Sequence, residues 1–193
     1  MEAARTMSEP LSPELLEAVN RAVDARLAAM TPRVGIGYDI HRFIEGRPLI
    51  LGGTEIPSDV GGLEGHSDAD AATHAVIDAL LGAAALGDIG HFFPDTDPQW
   101  KGANSLHLLA AVINRIERDG WRVTNVDVTI IAERPKIAPH IATMRETLAH
   151  VIHIPADRIG IKATTHEKLG ALGRKEGLAA LACAALTRHG SHA

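Results

Sequence analysis

The sequence predicts an α/β fold: one sheet covered by three main helices, preceded by a separate N-terminal helix. Two kinds of hydrophobic recurrence carry that expectation. Short runs rich in Val and Ile alternate or run continuously as strands do, and between them lie segments of helical length and period. The third observation is size. At 193 residues, 46% apolar and 22% charged, the chain suffices for one domain with a full core and is too short for two large ones.

Taken in order, residues 1–31 stand apart as an N-terminal extension, and residues 32–193 form the main domain. Within the extension, Ser12-Pro13 is a cap and first-turn pair, and Leu15, Leu16, Val19, Val23 and Leu27 recur at helical spacing. Acidic residues mixed with arginines, and no positive leader before an apolar block, argue against a secretory or transit peptide. The extension is expected to be an amphipathic helix that docks on the domain or on a neighbouring subunit. RVGIGYDIH (33–41) reads as a buried strand, and PLILGGTEIP (48–57) as a short strand with a Gly-Gly bend. GGLEGHSDAD (61–70) is a loop that runs into a helix over 68–86, and HFFPDTDPQWKG (91–102) is a loop rich in Pro and Asp. Residues 104–119 are helical, with Leu106, Leu109, Ile113 and Ile116 on one face. RVTNVDVTIIAE (122–133) alternates as a strand, PHIATMRETLAHVI (139–152) is a helix opened by Pro139, and RIGIKATT (158–165) is a strand. GLAALACAALTRH (177–189) fits a helix by its alanines and a buried strand by its length and flanking Gly177.

Composition narrows the function. A net charge of −5 argues against a nucleic-acid or anionic-membrane surface, because such binding needs phosphate-neutralising Lys and Arg. No apolar run reaches the ~18 residues of a membrane span. The single cysteine, Cys183, lies in an apolar run and is expected to be a buried thiol. No intrachain disulfide can form, which suits a cytoplasmic location.

The candidate metal ligands lie in the first half. Asp39 and His41, two apart on a strand, leave the same face. His74 lies in an Ala/Leu-rich helix, four residues from both Asp70 and Asp78, either of which could fix its second ring nitrogen. A lone His74 would read as a hydrogen-bonded core histidine; with Asp39 and His41 it completes a three-ligand set with a fourth tetrahedral position open, as in catalytic zinc sites. His66 and Ser67 precede the helix, and Ser67 serves equally well as a plain N-cap or beside a phosphate at the positive helix end. Thr164, Thr165 and Glu167 end a strand with two hydroxyls and a carboxylate. Asp88, Asp95 and Asp97 crowd a Pro-rich segment where turn formation is the ordinary role and a hard cation the alternative.

Together GIGYDIHRF, HSDADAATHAVIDALLGAAALGDIG, FFPDTDP, NVDVTIIAERPKIAPHI and IKATTHEKLG resemble the 2-C-methyl-D-erythritol 2,4-cyclodiphosphate synthase family. The resemblance runs from residue 33 to about 188 in order and leaves the first 31 residues outside. It implies a single four-stranded mixed sheet with helices packed on one face, the ambiguous tail being a strand, and a homotrimer with its sheets around the three-fold axis. It also implies conversion of 4-diphosphocytidyl-2-C-methyl-D-erythritol 2-phosphate to a cyclic diphosphate and CMP, in non-mevalonate isoprenoid biosynthesis. Carried over by motif, Asp39, His41 and His74 resemble zinc ligands, and Glu167 the ligand of a second cation, Mg²⁺ or Mn²⁺. His66 and Thr165 resemble the pair that orients phosphates in the transition state, with Ser67 beside them. Asp88, Ile89, Gly90 and the loop Phe93, Pro94, Asp95, Thr96, Asp97 resemble the erythritol-binding segment. Ala132, Pro135, Lys136, Thr164, Thr165 and Arg174 match the cytidine-diphosphate pocket.

Three positions depart from the family pattern: His166 where Thr is common, Glu133-Arg134 where less charged residues are usual, and Ala171 where Phe is frequent. The missing aromatic weakens the case for isoprenoid diphosphates in a central trimer cavity. Some members of the family are fused to the preceding cytidylyltransferase, so the extension is a candidate contact for that partner. A zinc-dependent phosphoesterase and a non-catalytic isoprenoid-diphosphate-binding trimer are the competing readings.

Overall fold

Two glycines in the first long strand decide how the molecule is layered. In the computed structural model, which describes residues 12–188, strand β1 (Arg33–Ile44) lies directly under helix α2 (Ala71–Ala84). A Cβ on Gly35 would sit 2.1 Å from the Ala79 carbonyl oxygen, and one on Gly37 would sit 2.0 Å from that of Ala75. No side chain fits there, so backbone meets backbone. Facing the glycines, α2 presents Ala75, Ala79 and Ala83, all buried.

The remaining elements follow from the same periodicities. Helix α1 (Pro13–Met30) is capped by the Ser12 side chain and joins β1 through Thr31 and Pro32. Strands β2 (Leu49–Leu51) and β3 (Thr54–Ile56) form a hairpin whose Gly52 and Gly53 both have positive φ, the conformation a two-residue hairpin turn demands. A two-residue strand, β4 (Gly62–Leu63), pairs with the end of β1. After α2 come the one-turn helix α3 (Ile89–Phe92) and helix α4 (Ser105–Arg118). Strand β5 (Trp121–Ile131), helix α5 (Ile141–Ile152), strand β6 (Ile159–Thr164), the short helix α6 (Gly170–Gly173) and strand β7 (Gly177–Arg188) complete the described chain.

The main sheet has the order β4-β1-β7-β5-β6. It is mixed: β5 and β6 are parallel, and the other pairs antiparallel. Helices α2, α4 and α5 pack together on one face of it, and the core between them holds Ile77, Leu80, Leu81, Leu109, Ile113, Met144 and Leu148, none more than 1% exposed. The other face is open, and Val34, Ile36, Tyr38, Ile40 and Leu181 stand on it at 42–69% exposure.

Several sequence expectations need correction. The sheet has five strands, not four, because the glycine-rich stretch expected to be loop supplies β4. The segment 48–57 is a complete hairpin instead of one bent strand. The helix expected over 68–86 is Ala71–Ala84, and its N-cap is Asp70, whose side chain accepts the Thr73 N–H, not Ser67. The proline-rich segment 91–102 includes the end of α3 and a 3₁₀ turn at Pro98–Trp100. Residues 177–188 form a strand, and its odd-numbered positions from Leu181 on face away from the helices, which leaves Cys183 partly exposed on the open face and not buried. The first eleven residues of the extension and the last five of the chain lie outside the described residues.

Candidate active site

The close contact of α2 with β1 creates the site. Beyond Gly37, the next two residues on the helix-facing side of β1 are Asp39 and His41, and the residue of α2 beside them is His74. Asp39 Oδ2 lies 2.8 Å from His41 Nε2 and 3.0 Å from His74 Nδ1. One ligand atom from each residue falls within 4.8 Å of the others. The remote nitrogen of His41, Nδ1, donates to the Glu64 carbonyl oxygen at 2.6 Å, so Nε2 is the nitrogen turned to Asp39: it donates there when the ring is protonated and offers a lone pair to an ion when it is not. Two imidazole nitrogens and one carboxylate oxygen, each half-buried and converging on one point, suit a nitrogen-accepting divalent ion. Burial alone would raise the Asp39 carboxyl, but hydrogen bonds from His41 and His74 outweigh it and hold the group well below the usual carboxylate range. In return Asp39 raises the His41 imidazole above its ordinary value.

Neither Asp70 nor Asp78, the expected partners of the second His74 nitrogen, reaches it. Asp70 is fully buried and turned the other way; besides capping α2 it accepts the N–H groups of Gly52 (2.8 Å) and Gly53 (2.7 Å), tying the hairpin to the helix. Desolvation there raises its carboxyl, against the pull of these four donors, the Thr73 hydroxyl included. Asp78 accepts the Ile89 N–H at 2.8 Å and so fastens the Asp88-Ile89-Gly90 segment to α2. The groups that do meet His74 Nε2 are Ser105 Oγ at 2.9 Å and Ser67 Oγ at 3.2 Å.

A cavity of about 400 Å³ opens beside the triad. Its walls include Asp39, His41 and His74, then His66 and Ser67, and then Ile89, Gly90, Phe93, Pro94 and Asp95. Trp100 and Leu108 line it as well, and Trp100 packs edge-on against Phe93 with ring centroids 4.9 Å apart. Asp88, Thr96 and Asp97 are not in its walls: Asp88 caps α3 through the His91 N–H, and Asp97 caps the 3₁₀ turn through the Gln99 N–H. Arg47 holds the loop that carries His66 and Ser67, donating to the carbonyls of Gly65 (2.7 Å) and Ser67 (2.5 Å).

Sequence reasoning missed Arg47, Asp68, Trp100, Ser105 and Leu108. Arg47 lies on an unremarked turn, and Ser105 reads as part of an Asn104-Ser105 helix start. Their roles rest on contacts 18 to 37 residues apart in sequence.

The second group of candidate residues gathers elsewhere. The N–H of Ala132 donates to the Thr164 carbonyl at 2.9 Å, and the Thr165 hydroxyl donates to Glu167 at 2.7 Å. Glu133 accepts the N–H groups of His166 and Lys168. Pro135 and Lys136 follow on the same turn after β5. Arg174 pairs with Glu176 at 2.6 Å. The register puts Ile40, Ala179, Ile131 and Thr164 in one row across β1, β7, β5 and β6. Thr164 thus stands level with the triad at one end of the sheet, three strand spacings or about 14 Å from β1, whereas Ala132 follows β5, nearer by one strand, and Arg174 lies just before Glu176, whose carbonyl accepts the Phe43 N–H of β1. Among the described residues, none of this second group lines the triad's cavity.

Comparison with known proteins gives concordant results. Residues 32–187 match the model described as the YgbB family. The 2-C-methyl-D-erythritol 2,4-cyclodiphosphate synthase of Synechococcus elongatus is 61% identical over 156 residues, which is 81% of this chain and 97% of that protein. A solved 2C-methyl-D-erythritol-2,4-cyclodiphosphate synthase in a CDP-bound form superposes with TM-score 0.73 at 43% identity, over 80% of this chain and 99% of that one. The bifunctional IspDF from Campylobacter jejuni gives TM-score 0.79 at 42% identity; the match covers 82% of this chain and 43% of that longer one.

Proposed function

From its membership of the YgbB family, we propose that this chain is an enzyme of isoprenoid precursor biosynthesis that forms 2-C-methyl-D-erythritol 2,4-cyclodiphosphate. The substrate is 4-diphosphocytidyl-2-C-methyl-D-erythritol 2-phosphate. An oxygen of the 2-phosphate attacks the β-phosphorus, a new P–O–P bond closes the ring, and the bond to the α-phosphate breaks to release CMP, making the enzyme a phosphorus–oxygen lyase. The observation that carries this reading is a three-ligand centre that opens into the same cavity as the Ile89–Asp95 loop and the His66-Ser67 pair.

Asp39, His41 and His74 are the ligands of zinc in this reading. Bound there, zinc supplies a Lewis acid that offsets the charge of a substrate phosphate. The nucleophile is a phosphate monoester, already mostly ionised at neutral pH because its second pKa is about 6, so no strong general base is required. What the chain must do is fold a flexible polyanion back on itself and align attack with departure. His66 and Ser67, gripped through Arg47, offer donors at the cavity mouth. Ile89, Gly90 and the rim Phe93–Asp95 close around the erythritol, backed by Trp100, with Asp88, Thr96 and Asp97 shaping the turns behind them.

The cytidine half of the pocket belongs to Ala132, Pro135, Lys136, Thr164, Thr165 and Arg174, with Glu167 holding a second cation, Mg²⁺ or Mn²⁺. These residues are contributed by an adjacent copy in a homotrimer. Two features support that assignment: the ~14 Å across the sheet between β1 and Thr164 at the end of β6 within one chain, and an open sheet face bearing Val34, Ile36, Tyr38 and Ile40. A patch of that kind marks an association surface. Residues 1–31 are a separate extension, and the bifunctional Campylobacter jejuni chain supports a contact between them and the pathway's cytidylyltransferase.

The test is a CMP-release assay on purified protein with metal analysis. His74→Ala should abolish CMP release while the assembly stays intact; full cyclisation by that variant stripped of metal would sink the assignment. Inorganic phosphate in place of the cyclic product would identify a phosphoesterase instead.

A further inference from the structure

We propose that Asp68 and Ser105 form a positioning relay that fixes the proton of His74 on Nε2 and thereby turns Nδ1 toward the metal position. The inference rests on the metal reading above and adds to it a direction of hydrogen bonding. Ser105 is completely buried at the start of α4. Its hydroxyl bonds to Asp68 Oδ1, its own N–H donates to Asp68 Oδ2 at 2.9 Å, and its Oγ lies 2.9 Å from His74 Nε2.

A hydroxyl has one proton, and a carboxylate offers only lone pairs. The Ser105 proton must therefore point to Asp68, which leaves Oγ able only to accept on the His74 side. Nε2 must then carry hydrogen, which leaves Nδ1, the atom 3.0 Å from Asp39, as the nitrogen that offers its lone pair to the ion once its own hydrogen bond to Asp39 is given up. The direction of the chain is set from its far end: Asp68 Oδ1 also faces the Asp70 N–H at 3.3 Å, and Asp68 N–H is tied to the Ala103 carbonyl at 3.1 Å. Ser67, at the longer distance of 3.2 Å from Nε2, is not required to donate to the ring. Its proton stays available to the cavity.

The relay also explains why α4 carries Ser105 with no functional motif around it. Asp68 lies on the α2 side of the site and Ser105 on α4, so the bond between them sets the ring angle of His74 from a second helix. Partners of this kind typically change metal affinity about 10–100-fold when removed.

Asp68→Asn is the decisive variant, because it keeps shape and changes direction. Its amide must place oxygen toward the Ser105 N–H, which can only donate, and NH₂ toward Ser105 Oγ, which can accept. The Ser105 hydroxyl then donates to His74 Nε2, and the ring is left with hydrogen on Nδ1 alone. Measurements use the full-length protein, zinc-loaded and after chelation: long-range ¹H–¹⁵N correlation of the His74 ring, and zinc Kd by chelator competition. The wild-type ring should carry hydrogen on Nε2 in both forms. Asp68→Asn and Ser105→Ala should each weaken zinc about 10–100-fold, and Asp68→Asn alone should take the hydrogen off Nε2 in the chelated protein. A wild-type ring that lacks hydrogen on Nε2, or an unchanged zinc Kd in both variants, overturns the relay. Should the protein take up no zinc at all, the metal reading fails, and the wild-type ring spectrum still decides the tautomer.

Discussion

Replacing Gly37 with alanine should damage the metal site without touching a ligand. The added Cβ would lie 2.0 Å from the Ala75 carbonyl oxygen and 2.7 Å from the Ala79 nitrogen. A tolerable carbon–oxygen contact is about 3.3 Å, so helix and strand must separate by about 1 Å. Both obstacles are backbone, and no rotamer change relieves them. Overpacking of ordinary side chains costs about 1–3 kcal/mol, and a rigid backbone clash belongs at or above the top of that range. For a domain of this size a loss of about 3 kcal/mol lowers Tm by roughly 6–12 °C. The same shift carries His74 away from Asp39, whose separation is now 3.0 Å, so zinc affinity should fall together with Tm. Gly82→Ala is the matched control: its Cβ would come no closer than 3.9 Å to any atom, and alanine is favoured over glycine within a helix by about 1 kcal/mol. Thermal melts and chelator competition on both variants decide the matter. A Gly37→Ala protein that melts within a degree of wild type and holds zinc as tightly refutes the close-packing argument.

Further outcomes follow from other contacts. Asp70→Ala removes an N-cap and strands the Gly52 and Gly53 N–H groups; at about 1 kcal/mol for the cap and 1–3 for each orphaned donor, the loss is about 3–7 kcal/mol, read by thermal denaturation. Zinc affinity should fall as pH is lowered, with onset above 6.5, because Asp39 raises the His41 imidazole and its proton must leave before the ion binds. Each proton displaced gives about tenfold per pH unit, and Asp39, held low, adds nothing until strongly acid pH. Ile36→Glu, at a position 69% exposed in the single chain, should be near neutral for a monomer but disrupt a trimer, and sedimentation velocity distinguishes the two.

The parts of the molecule most legible in its sequence are those in which a short local pattern has one physical solution. D-x-H on a strand puts both side chains on one face whatever surrounds it, and the Ala/Leu helix with one histidine needs a partner for that residue. The Ala-rich tail was ambiguous because propensity favours helix, and its place between β1 and β5, which nothing local encodes, overrides that preference. Ser67 lost the cap to Asp70 because the hairpin glycines, 17 and 18 residues upstream, supply two donors that only a carboxylate at position 70 satisfies. Ser105 and Arg47 were invisible for the same reason: their partners lie on other elements. The GIG triplet reads as a buried strand, whereas only its glycines are covered and Ile36 between them is exposed; a helix seated on bare backbone shows only with both surfaces in view.

The row Ile40, Ala179, Ile131, Thr164 has a genetic meaning. It places the triad and the Thr165-Glu167 group level at one end of the sheet yet on separate strands, so a site assembled from adjacent copies takes one half from each. Two alleles, one with a damaged triad and one with a damaged Thr165, would each be null alone. Expressed together and assembling at random, they would restore intact sites at about a quarter of positions, since each site draws independently on two neighbours. With the site shared between adjacent copies as proposed, the gene would show interallelic complementation, recessive loss at one half of the site being rescued by recessive loss at the other.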